Sequence, residues 1–205
     1  MPAGTVDWVR AWVFLGVIFV VSVLTVAKLF PGNEALIEER FKPPLQKGQP
    51  LADKFLTIGF LTAYVIDVVL VPLDRFRFHW MLPPGALISM LGLVAFLAGW
   101  TILVAAMREN RFAAPIVKHQ KERGQQVIDT GVYAVVRHPM YAGGALLILG
   151  LPMFLESYAA TIAAVVPISM IFARIFVEEP FLKRMLPGYE AYTERVRYRV
   201  VPFVW

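Results

Sequence analysis

Hydrophobic and polar positions in this chain do not alternate; they fall into long blocks. Ala11–Phe30 carries no charge before Lys28 and has Trp8 and Trp12 at its start. Phe55–Leu73 carries one charge, Asp67, and Gly85–Met107 carries none. Met140–Leu155 and Tyr158–Ala173 are also uncharged but shorter. Only Glu156 and Ser157 split them, and Leu151-Pro152 marks the end of the first. A bilayer-crossing helix needs about 17 to 25 mainly apolar residues. The blocks therefore predict an all-α, polytopic membrane protein with about five transmembrane helices, the last two a tight hairpin. The whole chain, 1–205, reads as a single integral membrane domain with three spans in 1–107 and the last two, with most of the polar sequence, in 108–205.

The polar connections have their own periodicity. Asn33 is placed to cap a short helix over Glu34–Phe41, with Leu36, Ile37 and Phe41 apolar and Glu38, Glu39 and Arg40 polar; Pro43-Pro44 then stops it. Such a helix suits a membrane surface. After Pro180, Phe181, Leu182, Met185, Tyr189, Tyr192 and Val196 recur at helical spacing, interrupted at Pro187-Gly188. This predicts two short amphipathic pieces folded over one mouth of the bundle.

Charge adds orientation. With five spans, Arg10, Arg75 and Arg77 fall on one side, and the remaining seventeen of the 20 basic residues fall on the other. Basic loops stay cytoplasmic, so the N-terminus is expected outside and the C-terminus in the cytoplasm, in the plasma or an inner membrane. Composition agrees: 58% of residues are hydrophobic and 17% charged, too much apolar surface for a soluble domain of this size. The net charge of +5 lies between greasy segments, which argues for membrane orientation rather than nucleic acid as partner. With no cysteine, disulfides, thiolate metal sites and cysteine nucleophiles are excluded. His79 and His119 have no acids at ligand spacing, so no metal is expected.

Three polar groups stand at or inside the apolar blocks. Arg137-His138 precede the fourth, with Gly131, Pro139, Gly143 and Gly144 permitting close backbone approach and Tyr133 and Tyr141 adding phenols. Arg174 and Glu178 are four apart, hence on one helix face, with Glu179 adjoining. Interfacial anchoring explains such residues singly, but carboxylates at a membrane lip are functional candidates. Asp67 fits a structural pair and a water-filled crevice equally well. No phosphate loop, dinucleotide fingerprint or nucleophile elbow is present. Bases, acids and phenols without an activated nucleophile suit a reaction whose reagent brings its own reactivity, such as methyl transfer from a sulfonium.

The run Arg137-His138-Pro139-Met140-Tyr141, preceded by Gly131-Val132-Tyr133, resembles the isoprenylcysteine carboxyl methyltransferase family and its phospholipid methyltransferase relatives. The ending "EEPFLKRMLPGYEAYTERV" resembles the same family's tail. The resemblance covers residues 108 to 205 and makes that half the cofactor-binding and catalytic one. It implies S-adenosyl-L-methionine bound under the tail helices and a lipid-borne or prenylated acceptor arriving through the membrane. Carboxylate O-methylation comes first, lipid amine N-methylation next. It places cofactor contacts on Tyr133, His138, Pro139, Met140 and Tyr141, on Gln125, Gln126, Val127 and Ile128, on Lys118, and on Glu178 with Glu179. Gln125 stands where relatives often have His, and Lys118 where Gln is usual. Arg174 is implied as the residue orienting the acceptor carboxylate, with Arg137 beside the cofactor. Two other readings are a sterol-type NADPH-dependent reductase, whose C-terminal half resembles this one but tends to have Asn at the position of Met140, and a non-enzymatic transporter or scaffold subunit.

Overall fold

The computed structural model describes residues 2–29 and 31–205; Phe30, the last residue of the first expected span, lies outside the described residues. Every regular element among them is helical. Three long helices match the first three apolar blocks: α1 (Val9–Leu29), α3 (Leu51–Leu73, continued by a π-helical turn Asp74–Phe78) and α4 (Ala86–Glu109). The short α2 (Glu34–Phe41) lies between the first two. It has the expected bounds, but the Asn33 side chain makes no capping bond. The Asn33 carbonyl instead takes the N–H groups of Leu36 and Ile37.

The fourth block is α5 (Pro139–Phe154), and its 16 residues span about 24 Å at 1.5 Å each. Proline opens it at the first helical position, where a missing N–H costs nothing. The chain turns back through Glu156, whose φ is 66°. It then runs through α6 (Tyr158–Ala163), α7 (Val165–Ala173) and α8 (Ile175–Met185), joined at the single residues Ala164 and Arg174. Together these form a 28-residue candidate span, Tyr158–Met185. The last span thus passes Ala173, and Glu178 and Glu179 belong to its final turns. Pro180 does not end it, because a proline removes one N–H and the helix resumes around it. Gly188, at φ 85°, makes the break before α9 (Tyr189–Arg195).

The expected hairpin of the last two spans forms, yet each packs most extensively on an earlier helix, α5 on α4 and α7 on α3. Glycines set the first contact. A methyl at Gly99 would stand 2.5 Å from the Gly143 carbonyl oxygen, and one at Gly150 2.5 Å from that of Gly92. Two glycine rungs thus bring the α4 and α5 backbones together, an approach driven by van der Waals packing where lipid supplies no hydrophobic force. Phe14, Phe96, Phe154 and Val71 fill the adjoining core. Phe19, Val65, Leu87 and Val94 remain exposed on the outer faces, the surface a lipid-solvated bundle needs.

The interior face of α3 carries three carboxylates. Asp74 accepts from the Ser157 hydroxyl at 2.6 Å, and Asp53 is held at the opposite end of the helix by partners described below. Asp67, between them, is 1% exposed and neither oxygen has a hydrogen-bond partner. The two charge groups read from the sequence map to the two ends of the bundle. Arg10 and Arg75 both pair with Glu156, at 3.1 and 3.6 Å, at one end, and the polar loops, α2 and the tail gather at the other.

Candidate active site

At the basic end, the start of α5 is pinned by the C-terminal tail. The backbone N–H groups of Arg137 and His138 donate to the carbonyls of Tyr198 and Arg199 at 2.9 and 2.8 Å. The Arg137 guanidinium donates from Nε to Glu179 at 2.7 Å and from Nη1 to the carbonyls of Val196 and Arg197. The same Glu179 carboxylate meets the His138 ring at 3.2 Å and the Arg199 Nε at 3.0 Å. It is thus a buried hub that joins α5, α8 and the tail.

Glu178 turns the other way. Its Oε2 accepts the Tyr141 hydroxyl at 2.5 Å and lies 3.9 Å from His138 Nδ1. The His138 and Tyr141 rings stack with centroids 5.4 Å apart. Glu178, His138 and Tyr141 line one cavity of about 340 Å³, within the range of small-molecule sites. Of the residues expected to contact a cofactor, Lys118, Gln125, Gln126, Val127, Ile128, Tyr133, Pro139 and Met140 line it as well, as do Arg137 and Arg174. Glu179 does not; it stands behind the wall and holds Arg137 and His138. Phe60, Tyr64, Leu103, Leu147, Ile148 and Ile171 carry the cavity inward between the spans, so one end is polar and the other apolar.

Arg174, at the joint of α7 and α8, is anchored by an acid outside the sequence reading. Its Nε donates to Asp53 at 2.7 Å and its Nη2 to the Pro115 carbonyl at 3.0 Å. Asp53 is fully buried and also accepts from Gln49 Nε2 and the Val117 N–H. The Arg174 guanidinium sits 5.9 Å from the centre of the Tyr141 ring, on the cavity side. Asp53 lies in the first turn of α3, just before the apolar block began, so hydropathy alone passed over it.

The loop after α4 closes the polar side. Lys118 Nζ meets Glu39 of α2 at 2.5 Å, and Lys42 meets the other Glu39 oxygen at 2.9 Å. The clasp docks α2 on the loop and puts Arg40 into the cavity wall, where its Nη1 donates to the Ala113 carbonyl at 3.1 Å. Sequence reasoning missed Arg40, because a surface-lying amphipathic helix accounts for its polarity. Gln120 is likewise buried, its N–H bonded to Gln125 Oε1 at 2.7 Å. That bond fixes the Gln125 side chain at the wall. Beneath α9, the Tyr192 hydroxyl donates to the Tyr133 carbonyl at 2.8 Å. Burial pushes the Tyr133 phenol up to about 12, so it stays a neutral donor. No three His, Asp or Glu side chains among the described residues converge as a metal site.

The bundle is all-helical, its cavity is polar at one end and apolar at the other, and an Arg-His-Pro-x-Tyr run opens α5. The family model described as phospholipid methyltransferase matches residues 87–188. The chain is 30% identical over 144 residues to protein-S-isoprenylcysteine O-methyltransferase B of Arabidopsis thaliana, covering 69% of this chain and 68% of that protein. It is 26% identical over 200 residues to a probable protein-S-isoprenylcysteine O-methyltransferase of Oryza sativa subsp. indica, covering 95% and 97%. It is also similar, at 28% over 152 residues, to the cobalt-zinc-cadmium resistance protein CzcN of Cupriavidus metallidurans, covering 70% and 64%. The chain belongs to the isoprenylcysteine and phospholipid methyltransferase family.

Proposed function

We propose that this protein is an S-adenosyl-L-methionine-dependent methyltransferase that esterifies a carboxylate on a lipid-borne or prenylated acceptor. The observation that carries the reading is a cavity with a polar, hydrogen-bonding mouth, formed by Glu178, Tyr141, His138 and the Gln125–Ile128 stretch, and an apolar floor between the spans. The mouth fits the cofactor: Glu178 is a carboxylate for a cationic group, and Gln126 and the Tyr133 phenol supply donors and acceptors. Bound S-adenosylmethionine supplies an electrophilic methyl group on sulfonium sulfur, so the protein needs to hold donor and acceptor in line rather than create a nucleophile.

The chain's own residues divide the remaining work. Glu178 holds positive charge at the mouth, and Tyr141 fixes its carboxylate. Glu179 fixes Arg137 and His138 from behind, which sets the wall against which the cofactor rests. Arg174, locked to Asp53, stands where the polar mouth meets the apolar floor and faces an arriving anion. The His138 ring is held between Glu179 and Glu178, so neither it nor these acids stands free as a general base. That favours an acceptor already nucleophilic at neutral pH, as a carboxylate is and a protonated lipid amine is not. The names of the plant relatives point the same way.

The test is equilibrium binding of S-adenosylhomocysteine and of NADPH to the purified protein in detergent. We expect micromolar-range binding of the first and none of the second. Binding of NADPH alone would support a reductase, and binding of neither a non-enzymatic membrane module.

A further inference from the structure

The cations of the cavity wall are not equivalent. Arg137 is neutralised by Glu179, Arg174 by Asp53 and Lys118 by Glu39. Arg40 forms no ion pair among the described residues. One of its donors meets the Ala113 carbonyl, and the rest of the fork is uncommitted in the cavity wall. A half-buried guanidinium without an anion is costly, and α2 is nevertheless fastened so as to keep it there. Leu36 is 1% exposed beneath the helix, and Glu39, the residue before Arg40, is clamped by two lysines. Glu178 is the opposite case, an acid on the same wall whose partners are a phenol and a distant imidazole. Arg40, Tyr133 and Glu178 all line this one cavity.

Resting on the methyltransferase reading above, we propose that Arg40 is a second anion receptor of the cavity, besides Arg174, and binds a carboxylate through its planar fork. The chemistry has two sources. A ligand with an α-amino-acid end would place its ammonium toward Glu178 and its carboxylate toward Arg40, which matches the cofactor, and the presence of a guanidinium without an ion pair and a carboxylate in one cavity favours that source. The second source is the carboxylate of the acceptor itself. In either case α2, outside the stretch matched by the family model, completes the site, and docking of α2 through Glu39–Lys118 becomes part of ligand binding.

The experiment compares wild type with Arg40→Gln and Arg40→Lys in detergent. The probes are S-adenosylhomocysteine, its analogue lacking the α-carboxylate, and an S-prenylated N-acylcysteine acceptor. If the cofactor's carboxylate is bound, Arg40→Gln weakens S-adenosylhomocysteine about ten- to a hundredfold, the usual worth of charge-assisted bonds. Arg40→Lys weakens it less, and all three proteins bind the decarboxylated analogue alike, which also shows that the pocket is folded. If the acceptor's carboxylate is bound, S-adenosylhomocysteine affinity is unchanged and the acceptor KM rises at least tenfold. Unchanged values on both arms, or equal weakening of both cofactor analogues, overturns the proposal. Failure of wild type to bind S-adenosylhomocysteine at all sinks the methyltransferase reading instead, a different result from a silent Arg40.

Discussion

Glu178 and Glu179 are neighbours in the chain, and a helix rotates them about 100° apart, so one faces the cavity and the other the packed seam behind it. The pair "EE" stood out in the sequence; which acid faces the cavity did not, because that depends on where α8 sits relative to α5 and the tail. The geometry makes separable predictions. Glu179→Gln leaves Arg137 and Arg199 without their anion in a buried seam and should lower stability by about 3–5 kcal/mol, read as a large drop in melting temperature in detergent. Glu178→Gln removes a charge that faces the cavity. It should leave melting nearly unchanged while weakening S-adenosylhomocysteine by about 1.5–3 kcal/mol in calorimetry. The reverse pattern would mean that the two roles are exchanged. Asp53 and Arg40 were invisible at this scale because each is an ordinary charge, one just before an apolar block and one on a short amphipathic helix, until the tertiary fold sets its surroundings.

Among the elements, the α4–α5 contact is the most exacting. Gly143 was legible as a site of close approach, but its partner Gly99 was not, because nothing in a uniformly apolar block announces which face meets which helix. Gly143→Ala puts a methyl 2.7 Å from the Gly99 carbonyl oxygen and should cost about 1–3 kcal/mol in thermal unfolding. Gly144→Ala is the control, since its methyl would sit 3.6 Å from Ile171 Cδ1 in ordinary contact. Equal effects of the two would show that helix propensity, not the interhelical approach, decides.

The docking of α2 carries a pH signature. Burial pushes the Glu39 carboxyl up, but hydrogen bonds from Lys118 and Lys42 more than offset this and leave it below its ordinary 4.5. A depressed carboxyl stabilises the folded state above its unfolded value, and that contribution is lost as pH falls through the lowered one. Hydrogen exchange of the α2 amides should therefore separate wild type from Glu39→Gln at neutral pH, and the difference should shrink as the pH falls through the lowered carboxyl value. A constant difference across that range would show that Glu39 acts through shape alone.

For the molecule as a whole, the five apolar blocks and the split of basic residues were legible because bilayer thickness and leaflet charge act on sequence directly. Less legible were the merging of the last block with the amphipathic tail into one 28-residue run and the seating of the C-terminal strand of carbonyls on Arg137 and His138. The second depends on bonds between residues far apart in sequence, which no local pattern shows. The charge split predicts sidedness. In this cysteine-free chain, Lys183→Cys should be labelled by a membrane-impermeant maleimide only from the cytoplasmic side, and Arg77→Cys only from outside. Inverted labelling would overturn this orientation.

The central claim is that one cavity joins a cofactor mouth to a lipid floor. It is tested most directly by incubating the purified protein with methyl-labelled S-adenosylmethionine and an S-prenylated N-acylcysteine, then measuring label released as methanol by mild base. The account predicts base-labile label that depends on the prenyl chain and on Glu178. Label in base-stable lipid amine would retain the methyltransferase and reassign the acceptor. No transfer to this acceptor or to extracted lipids, with S-adenosylhomocysteine failing to bind, would contradict the account.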